Sequence, residues 1–301
     1  MAARRRAETR PVGSDARPIW PVLCLVFNAL AWGLSWWPLR QLQGQGLHPL
    51  WTTVLVFVLA VVVIVALRPG AVRQVLRTPA LWVLVLASGT TNAAFNWAMV
   101  IGDVVRVVLL FYVMPLWAVL LARVLLGEAL TARAALRIAL ALAGAAVVLW
   151  PEGGGWPLPS TLADVLGLVG GFSFALNNVM LKREAARPEE GRALAMFGGG
   201  VLVAGMLATT LALHGSTPWP PAPAWPWVAG VAALSLLYLA SNLALQFGAA
   251  RLPANVTAVV MLTEVLFAAV SALLLDGGVL TAQLAAGGTL IVAAAVLAAR
   301  R

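Results

Sequence analysis

Charged residues are scarce in this sequence: they make up 10% of its 301 residues, whereas 62% are hydrophobic. An ordinary soluble domain is about 25% charged, so a soluble fold of this length could not bury so much apolar surface. Cys24 is the only cysteine, and His48 and His214 are the only histidines. These counts exclude an internal disulfide and argue against a metal site. We therefore expect a membrane protein that needs no cofactor.

Long runs without charge fill most of the chain. A helix needs about 20 apolar residues to cross about 30 Å of hydrocarbon. The runs are continuously apolar rather than alternating, which favours helices over a β-barrel. We predict an all-α integral membrane protein with ten transmembrane helices, at 20–42, 49–67, 80–101, 104–126, 133–150, 162–181, 193–214, 225–248, 253–275 and 281–299.

The basic residues are distributed unevenly between the two sides of the predicted membrane. Eighteen of the 20 Lys and Arg residues fall in the termini or in alternate connections, as the positive-inside rule describes. Arg40 and Arg106 are the two that fall on the other side. This alternation supports ten spans and predicts cytoplasmic termini, in the inner membrane of a bacterium. The net charge of +9 thus indicates membrane topology, and we expect no nucleic-acid partner.

The second half of the sequence repeats the first. Residues 107–149 align without a gap on 257–299, at a shift of 150, with 12 identities. Polar residues at matching positions are Asn92 with Asn242, Asn96 with Gln246, and Thr131 with Thr281. Span 1 has its own counterpart in span 6, at a shift of 142. That counterpart, and the continuation of span 1 to Arg40, argue against the alternative of a signal peptide cleaved near Ala31.

Each copy contains five predicted spans. The resulting division is a cytoplasmic tail at 1–19, a first repeat at 20–151 and a second repeat at 160–301. Because five is an odd number, the second repeat must enter the membrane in the opposite orientation, which gives two inverted five-helix repeats. Such repeats are common in secondary transporters, whose substrate sites lie near the bilayer midplane at the repeat interface.

Three stretches carry a resemblance to a known family. They are ALAWGLSWWPLR at 29–40, MPLWAVLLARVLLGEALT at 114–131, and the echo of the latter in the last two spans. The pattern over about 20–299 resembles the drug/metabolite transporter superfamily in its ten-helix, EamA-type form, and within it exporters of amino acids, including aromatic ones. The resemblance implies that spans 1, 3, 4, 6, 8 and 9 line a central cavity, with spans 5 and 10 packed behind them.

The sequence departs from that family in two places. The family often has a glutamate–proline pair in span 9, whereas here Glu264 is followed by Val265. The second-repeat loop reads Asp276-Gly277-Gly278, without a counterpart of Glu128, and Met114 is the counterpart of Glu264. A coupling scheme that requires both acids therefore does not carry over to this chain.

Glu264 is the acid nearest the centre of a predicted span. Burying an ionised carboxylate there costs about 2.5 kcal/mol or more. Three interpretations stay open: a protonated structural group, a partner for the amino group of a substrate, or a group that exchanges a proton during transport.

Amide and aromatic side chains supply the other candidate substrate-binding residues. Pairs at i, i+4 share one helix face, and the amides recur at equivalent places in both repeats. The set is Asn28, Trp32, Trp36, Asn92, Asn96, Tyr112, Trp117, Asn177, Asn178, Tyr238, Asn242 and Gln246, together with Glu264. For each amide alone, a role as a clamp between helices is an alternative, and for each aromatic, ordinary packing or lipid contact. Pro38 and Pro115 are candidate hinges.

The sequence as a whole predicts a secondary transporter that exports a small metabolite, most simply an apolar or aromatic amino acid, by alternating access. No nucleophile–base pair, metal cluster or nucleotide loop is visible, so we expect no enzyme activity. The alternatives are a membrane enzyme for a lipid or isoprenoid substrate, a nucleoside or drug-type exporter of the same fold, and a channel or receptor. The expected partners are the small-molecule substrate and the lipid bilayer. Ten helices suffice for a monomer, although an oligomer is also compatible with the sequence.

Overall fold

The structure is a computed structural model that describes residues 19–127, 129, 131–151, 156–249, 251–252, 260–276 and 279–299, apart from the side chains of 246, 249, 298 and 299. Within these ranges the regular elements are helices, and no strand occurs. The helices are α1 (Ile19–Gly33), α2 (Trp36–Gly44), α3 (Pro49–Leu67), α4 (Gly70–Arg77), α5 (Pro79–Ile101), α6 (Val104–Phe111), α7 (Met114–Leu126), α8 (Ala132–Leu149), α9 (Leu162–Arg183), α10 (Glu189–Leu213), α11 (Trp225–Ala249), α12 (Thr263–Leu275) and α13 (Ala282–Ala299).

Eight helical segments of the described chain are long and apolar enough to cross a membrane. Two shorter apolar helices follow: α12 covers the part of the ninth predicted span from Thr263 to Leu275, and α13 covers most of the tenth. Residues 253–259 of the ninth span lie outside the described residues. Many large apolar side chains point outward, where lipid would cover them, including Leu266 and Leu274 on α12. The predicted fold class is confirmed: this is an all-α, multi-span membrane protein.

The first and fourth spans are each interrupted near the middle. α1 ends at Gly33 and α2 begins at Trp36, while α6 ends at Phe111 and α7 begins at Met114. Pro38 and Pro115 each lie in the first turn of the helix that follows the break, where a proline leaves no helical hydrogen bond unmade. Each interruption therefore lies just before the proline, and the role of Pro38 and Pro115 as hinges stays a prediction.

One residue of the internal repeat has the same task in both copies. The hydroxyl of Thr131 accepts a hydrogen bond from the backbone N–H of Ala134 (3.2 Å) at the start of α8. The hydroxyl of Thr281 accepts one from the N–H of Leu284 (3.1 Å) at the start of α13. A threonine at this N-cap position satisfies a backbone donor that has no partner inside the helix.

Equivalent helices of the two copies pack antiparallel. Gly144 of α8 lies against Ile291 of α13, whereas Val148, one turn later, lies against Gly287, one turn earlier. The contacts between α3 and α10, the second and seventh spans, run in the same antiparallel sense. Since α8 and α13 correspond in the sequence alignment, the two copies of this segment have opposite orientations in the bundle.

The opposed orientations give the bundle two distinguishable ends. We call the side on which α1 begins the N-terminal side, and the other the opposite side. α1 and α12 run in parallel, because Gly33 contacts Ala268 while Trp36 donates a hydrogen bond to Ser271 (2.9 Å). The C-terminal ends of α2 and α12 consequently lie together on the opposite side.

Close packing of α5 on α10 depends on two glycines. A Cβ atom at Gly199 would lie 2.2 Å from the carbonyl oxygen of Val85, and one at Gly89 would lie 2.3 Å from the carbonyl oxygen of Gly199. Backbone atoms cannot give way as flexible side-chain ends do. The sequence therefore needs glycine here to let the helices approach, as small residues do in membrane bundles.

We expect Gly199→Ala to lower the free energy of unfolding by about 1–3 kcal/mol, because overpacking forces the two helices apart. Its neighbour Gly198 offers a matched control, since no described atom lies within 4 Å of a Cβ built there. Gly198→Ala should be neutral or slightly stabilising, because alanine favours the helix. Thermal unfolding of the purified variants compares them; equal melting temperatures would contradict this account of the α5–α10 contact.

Candidate functional site

A cavity of about 530 Å³ lies between the two halves. Both halves contribute side chains to its walls, mostly apolar and aromatic with a few polar groups, as is usual for a small-molecule site. Eight of the residues singled out in the sequence line it: Asn28, Trp32, Asn92, Tyr112, Asn177, Asn178, Asn242 and Glu264. Pro115 lines it as well.

The cavity is displaced toward one side of the membrane. Its described lining begins at mid-span, at Trp32 and Tyr112, and extends to Leu181 near the end of α9 and Met196 near the start of α10. Both of these helix ends lie on the N-terminal side. The opposite half of the bundle is filled by a close-packed apolar core that includes Val107.

Glu264 lies in the first turn of α12 and is 8% exposed. The hydroxyl of Tyr112 donates a hydrogen bond to its Oε2 at 2.9 Å. This bond uses Oε2, and Oε1 is the second acceptor of the carboxylate. Tyr112 closes α6 at the break in the fourth span, so the break brings this phenol to the carboxylate across the boundary between the two halves.

The amides of the cavity wall use their nitrogen atoms for contacts within the protein. Asn28 Nδ2 donates to the carbonyl oxygen (2.9 Å) and hydroxyl (2.6 Å) of Ser241, which ties α1 to α11. Asn92 Nδ2 donates to the carbonyl oxygen of Ser88 at 2.9 Å, one turn earlier in α5. Asn177 Nδ2 faces Asn178 Oδ1 at a long 3.5 Å. Asn28 and Asn92 thus have an interhelical and an intrahelical structural role, in addition to their place in the wall.

One wall of the cavity is aromatic. Trp32 stacks on Tyr238, with ring centroids 4.5 Å apart and planes 18° apart, and meets the edge of Phe95 at 6.4 Å. Tyr238 is buried behind Trp32 and does not belong to the described lining. It holds the indole in place rather than facing the cavity.

Three other candidates also lie outside the described lining. Trp36 is buried and donates its Nε1–H to Ser271, so its ring packs between α2 and α12. Asn96 points to α3, where Nδ2 donates to the Thr53 hydroxyl at 3.0 Å. Trp117 packs edge-on against Phe172 at 5.4 Å. The side chain of Gln246 lies outside the described residues.

The lining includes residues that were not among the sequence candidates. Four of them have a signal in the repeat. Phe174 is the counterpart of Trp32 at a shift of 142; at a shift of 150, Ser88, Met114 and Leu262 are the counterparts of Tyr238, Glu264 and Tyr112. Taking the repeat partner of every candidate would have found all four. The remaining new members carry no such signal; they include Phe57, Thr91, Phe111, Ala118 and Phe197.

An ion pair fastens the opposite end of the cavity at the start of α6. Arg106 Nε donates to Asp164 Oδ1 (2.6 Å) and Nη2 to Oδ2 (3.0 Å), while Nη1 donates to the carbonyl oxygen of Val148 (2.7 Å). Asp164 is 1% exposed and also accepts the backbone N–H groups of Ser160 and Thr161. One guanidinium therefore joins α6, α8 and α9 across the two halves.

A second arginine forms a similar junction nearby. Arg40, in the middle of α2, pairs with Asp276 after α12 and donates to the carbonyl oxygens of Met99 (3.3 Å) and Gly102 (2.6 Å). Arg40 and Arg106 are the two basic residues that depart from the positive-inside pattern. The structure gives the reason: both bind acidic and carbonyl oxygens that close the bundle on that side.

Comparisons with known proteins agree with this architecture. Residues 19–150 match the EamA-like transporter family. One solved structure, described only as the crystal structure of a protein, is similar over 92% of this chain and 96% of its own, with a TM-score of 0.56 and 20% sequence identity. That likeness shows the fold alone. The search of curated proteins found no match.

The family match and the helical architecture support the same identification. Residues 19–150 coincide with the first predicted repeat, which contains the broken first and fourth spans and the amides of α5. Two of the three stretches that resemble the drug/metabolite transporter superfamily, at 29–40 and 114–131, lie in this region. Residues 19–150 of this chain are therefore similar to the EamA-like transporter family, which is consistent with that superfamily.

Proposed function

We propose that this protein exports small metabolites, amino acids with aromatic or other apolar side chains, by alternating access through the cavity between its halves. Transport of small molecules is the function that the EamA-like domain implies. The substrate class is our inference from the cavity wall. A flat apolar side chain fits against Trp32, and the polar end of the molecule fits among Asn177, Asn178 and Glu264.

The observation that carries the proposal is the one-sided position of the cavity. Two inverted halves enclose it, its lining extends toward the N-terminal side, and the Arg40 and Arg106 junctions close the opposite end. A carrier needs such a state, in which its site is reachable from one side only. Because the two halves are similar, a rocking motion would exchange the closed and open ends.

The basic residues suggest where the two sides are. By the positive-inside rule the N-terminal side is cytoplasmic, so we propose that the protein lies in a bacterial inner membrane with both termini inside. The structure would then be the state that loads substrate from the cytoplasm. Glu264 is the group we propose to meet the substrate amine, and a proton exchange at the same carboxylate would couple transport to a pH gradient.

Purified protein in proteoliposomes tests the function. We expect radiolabelled phenylalanine, tryptophan or leucine, loaded inside, to leave the vesicles faster than from protein-free vesicles, and an unlabelled excess to slow the flux. Glutamate and aspartate should not compete, because the charged residue of the described lining, Glu264, is itself an acid. Intact, folded protein that moves none of the amino acids would contradict the proposed substrate class.

A further inference from the structure

The polar groups of the cavity wall are unequally occupied. Asn28 and Asn92 both direct their amide nitrogen to a backbone carbonyl oxygen, and a carbonyl oxygen can pair only with a donor. These contacts therefore fix which end of each amide is used. The Tyr112 hydroxyl is likewise directed at Glu264. Three of the hydrogen-bond donors of the wall are already engaged by the protein.

The same wall residues have acceptors that the protein leaves unpaired. Asn28 Oδ1 and Asn177 Oδ1 are buried and have no hydrogen-bond partner among the described residues, and both side chains are at least nine-tenths buried. Glu264 adds a carboxylate, whose two oxygens can accept several hydrogen bonds. An unpaired buried oxygen costs about 1–3 kcal/mol, so this wall favours a ligand that supplies N–H groups over one that supplies further acceptors.

The fixed charge of the wall points the same way. Glu264 is an acid, and no lysine or arginine belongs to the lining as far as the structure describes it. An anionic ligand would find no cation there. A protonated amine would meet a carboxylate, in a charge-assisted hydrogen bond that is about twice as strong as a neutral one.

We infer that the cavity recognises the protonated amine of its ligand and has no built site for a carboxylate. This inference rests on the proposed function and narrows it: the preferred ligands are primary aryl- or alkylamines, and amino acids bind through their ammonium end. The aromatic ring lies against Trp32, and the ammonium donates to the carboxylate of Glu264. The described lining holds no lysine or arginine to balance a ligand carboxylate, and neutral donors compensate a full negative charge poorly.

Four ligands with the same ring separate the two ends of the molecule: 2-phenylethylamine, phenylalaninamide, phenylalanine and 3-phenylpropionate. We expect the first two to bind the purified full-length protein about tenfold or more tightly than phenylalanine, because neither carries a carboxylate that the described lining would leave without a cation. No binding of 3-phenylpropionate is expected. Calorimetric titration at neutral pH measures all four, and the inference is overturned if 3-phenylpropionate binds as well as phenylalanine or if neither amine binds.

A variant pair assigns the effect to the carboxylate. Glu264→Gln should weaken the binding of 2-phenylethylamine about tenfold or more, because a neutral amide replaces the charged acceptor. Glu189→Gln makes the same chemical change at an exposed site in α10 and should leave binding unchanged. Unaltered amine affinity in folded Glu264→Gln protein would overturn the assignment. If phenylalanine is transported but amines are not preferred, this inference is wrong and the proposed function stands. If amines bind but no solute is transported, the inference stands and the proposed function is wrong.

Discussion

Arg106→Met should open the closed end of the cavity to the opposite side of the membrane. The substitution keeps most of the apolar stem but leaves Asp164 buried and without its cation. Removing one partner of a buried ion pair costs about 3–5 kcal/mol, and the lower figure suits this pair because Arg106 is 25% exposed. A cost of about 3 kcal/mol to the closed state shifts an equilibrium between closed and open states about a hundredfold.

Cysteine labelling measures this opening. Ala272 of α12 lies about one turn from Asp276 and is 3% exposed, so a cysteine there should react slowly in the closed state. In a Cys24→Ser background, a membrane-impermeant maleimide added from the opposite side should label Ala272→Cys at least about tenfold faster when Arg106→Met is present, given that shift. Arg133→Met, at an exposed position on the N-terminal side, is the control.

A milder variant tests whether unfolding, rather than opening of the closed end, causes the faster labelling. Asp276→Asn weakens the Arg40 junction, whose acid is 43% exposed, and should raise labelling of Ala272→Cys by a smaller factor without a large loss of thermal stability. Unchanged labelling in both folded variants would show that the ion pairs do not hold this end closed.

Ala118→Trp should reduce transport to the level of empty vesicles. Ala118 is partly buried on α7 and lines the cavity, so an indole there would occupy the space proposed for the substrate. A tryptophan side chain buries roughly 150–250 Å² wherever it packs, comparable with the side chain of an aromatic amino acid. The measurement is phenylalanine efflux from proteoliposomes with equal amounts of folded protein.

The control for Ala118→Trp is a tryptophan introduced outside the cavity. Ala143 lies on an exposed face of α8, where lipid would receive the indole. Ala143→Trp should transport at the normal rate. Normal efflux by Ala118→Trp would show that the solute takes another route, and a loss in both variants would point to a general effect of added bulk.

The sequence predicted the fold well because its strongest signals are long and repeated. Apolar runs long enough to span a membrane have few alternative structures. Polar residues that match between the repeats can also have the same structural role, since Thr131 and Thr281 cap equivalent helices. The inverted orientation followed from an odd number of spans. The antiparallel contact of Gly144 with Ile291 shows it directly.

Individual side-chain positions were harder to predict. Asn92 and Asn96 share one face of α5 by spacing, yet Asn92 lines the cavity and Asn96 binds Thr53. Which neighbour a side chain meets depends on where the next helix lies, and spacing along one helix does not contain that information. Trp36 differs from Trp32 for a related reason, since α1 ends between them and α2 directs Trp36 to α12.

The ion pairs at the closed end show the same limit. The charge pattern singled out Arg40 and Arg106 as exceptions, but their partners lie 236 and 58 residues away. The side toward which the cavity extends was also beyond the sequence, because two similar inverted halves favour the two alternative states about equally.

Alternating access itself can be measured with two cysteines on opposite sides of the site. Met196→Cys lies in the cavity wall near the N-terminal side, and Ala272→Cys lies in the closed end. In Cys24→Ser protein in oriented vesicles, phenylalanine should slow labelling of Met196→Cys from the N-terminal side while it speeds labelling of Ala272→Cys from the other. Rates at the two cysteines that rise together, or that ignore the amino acid, would contradict a carrier that opens to one side at a time.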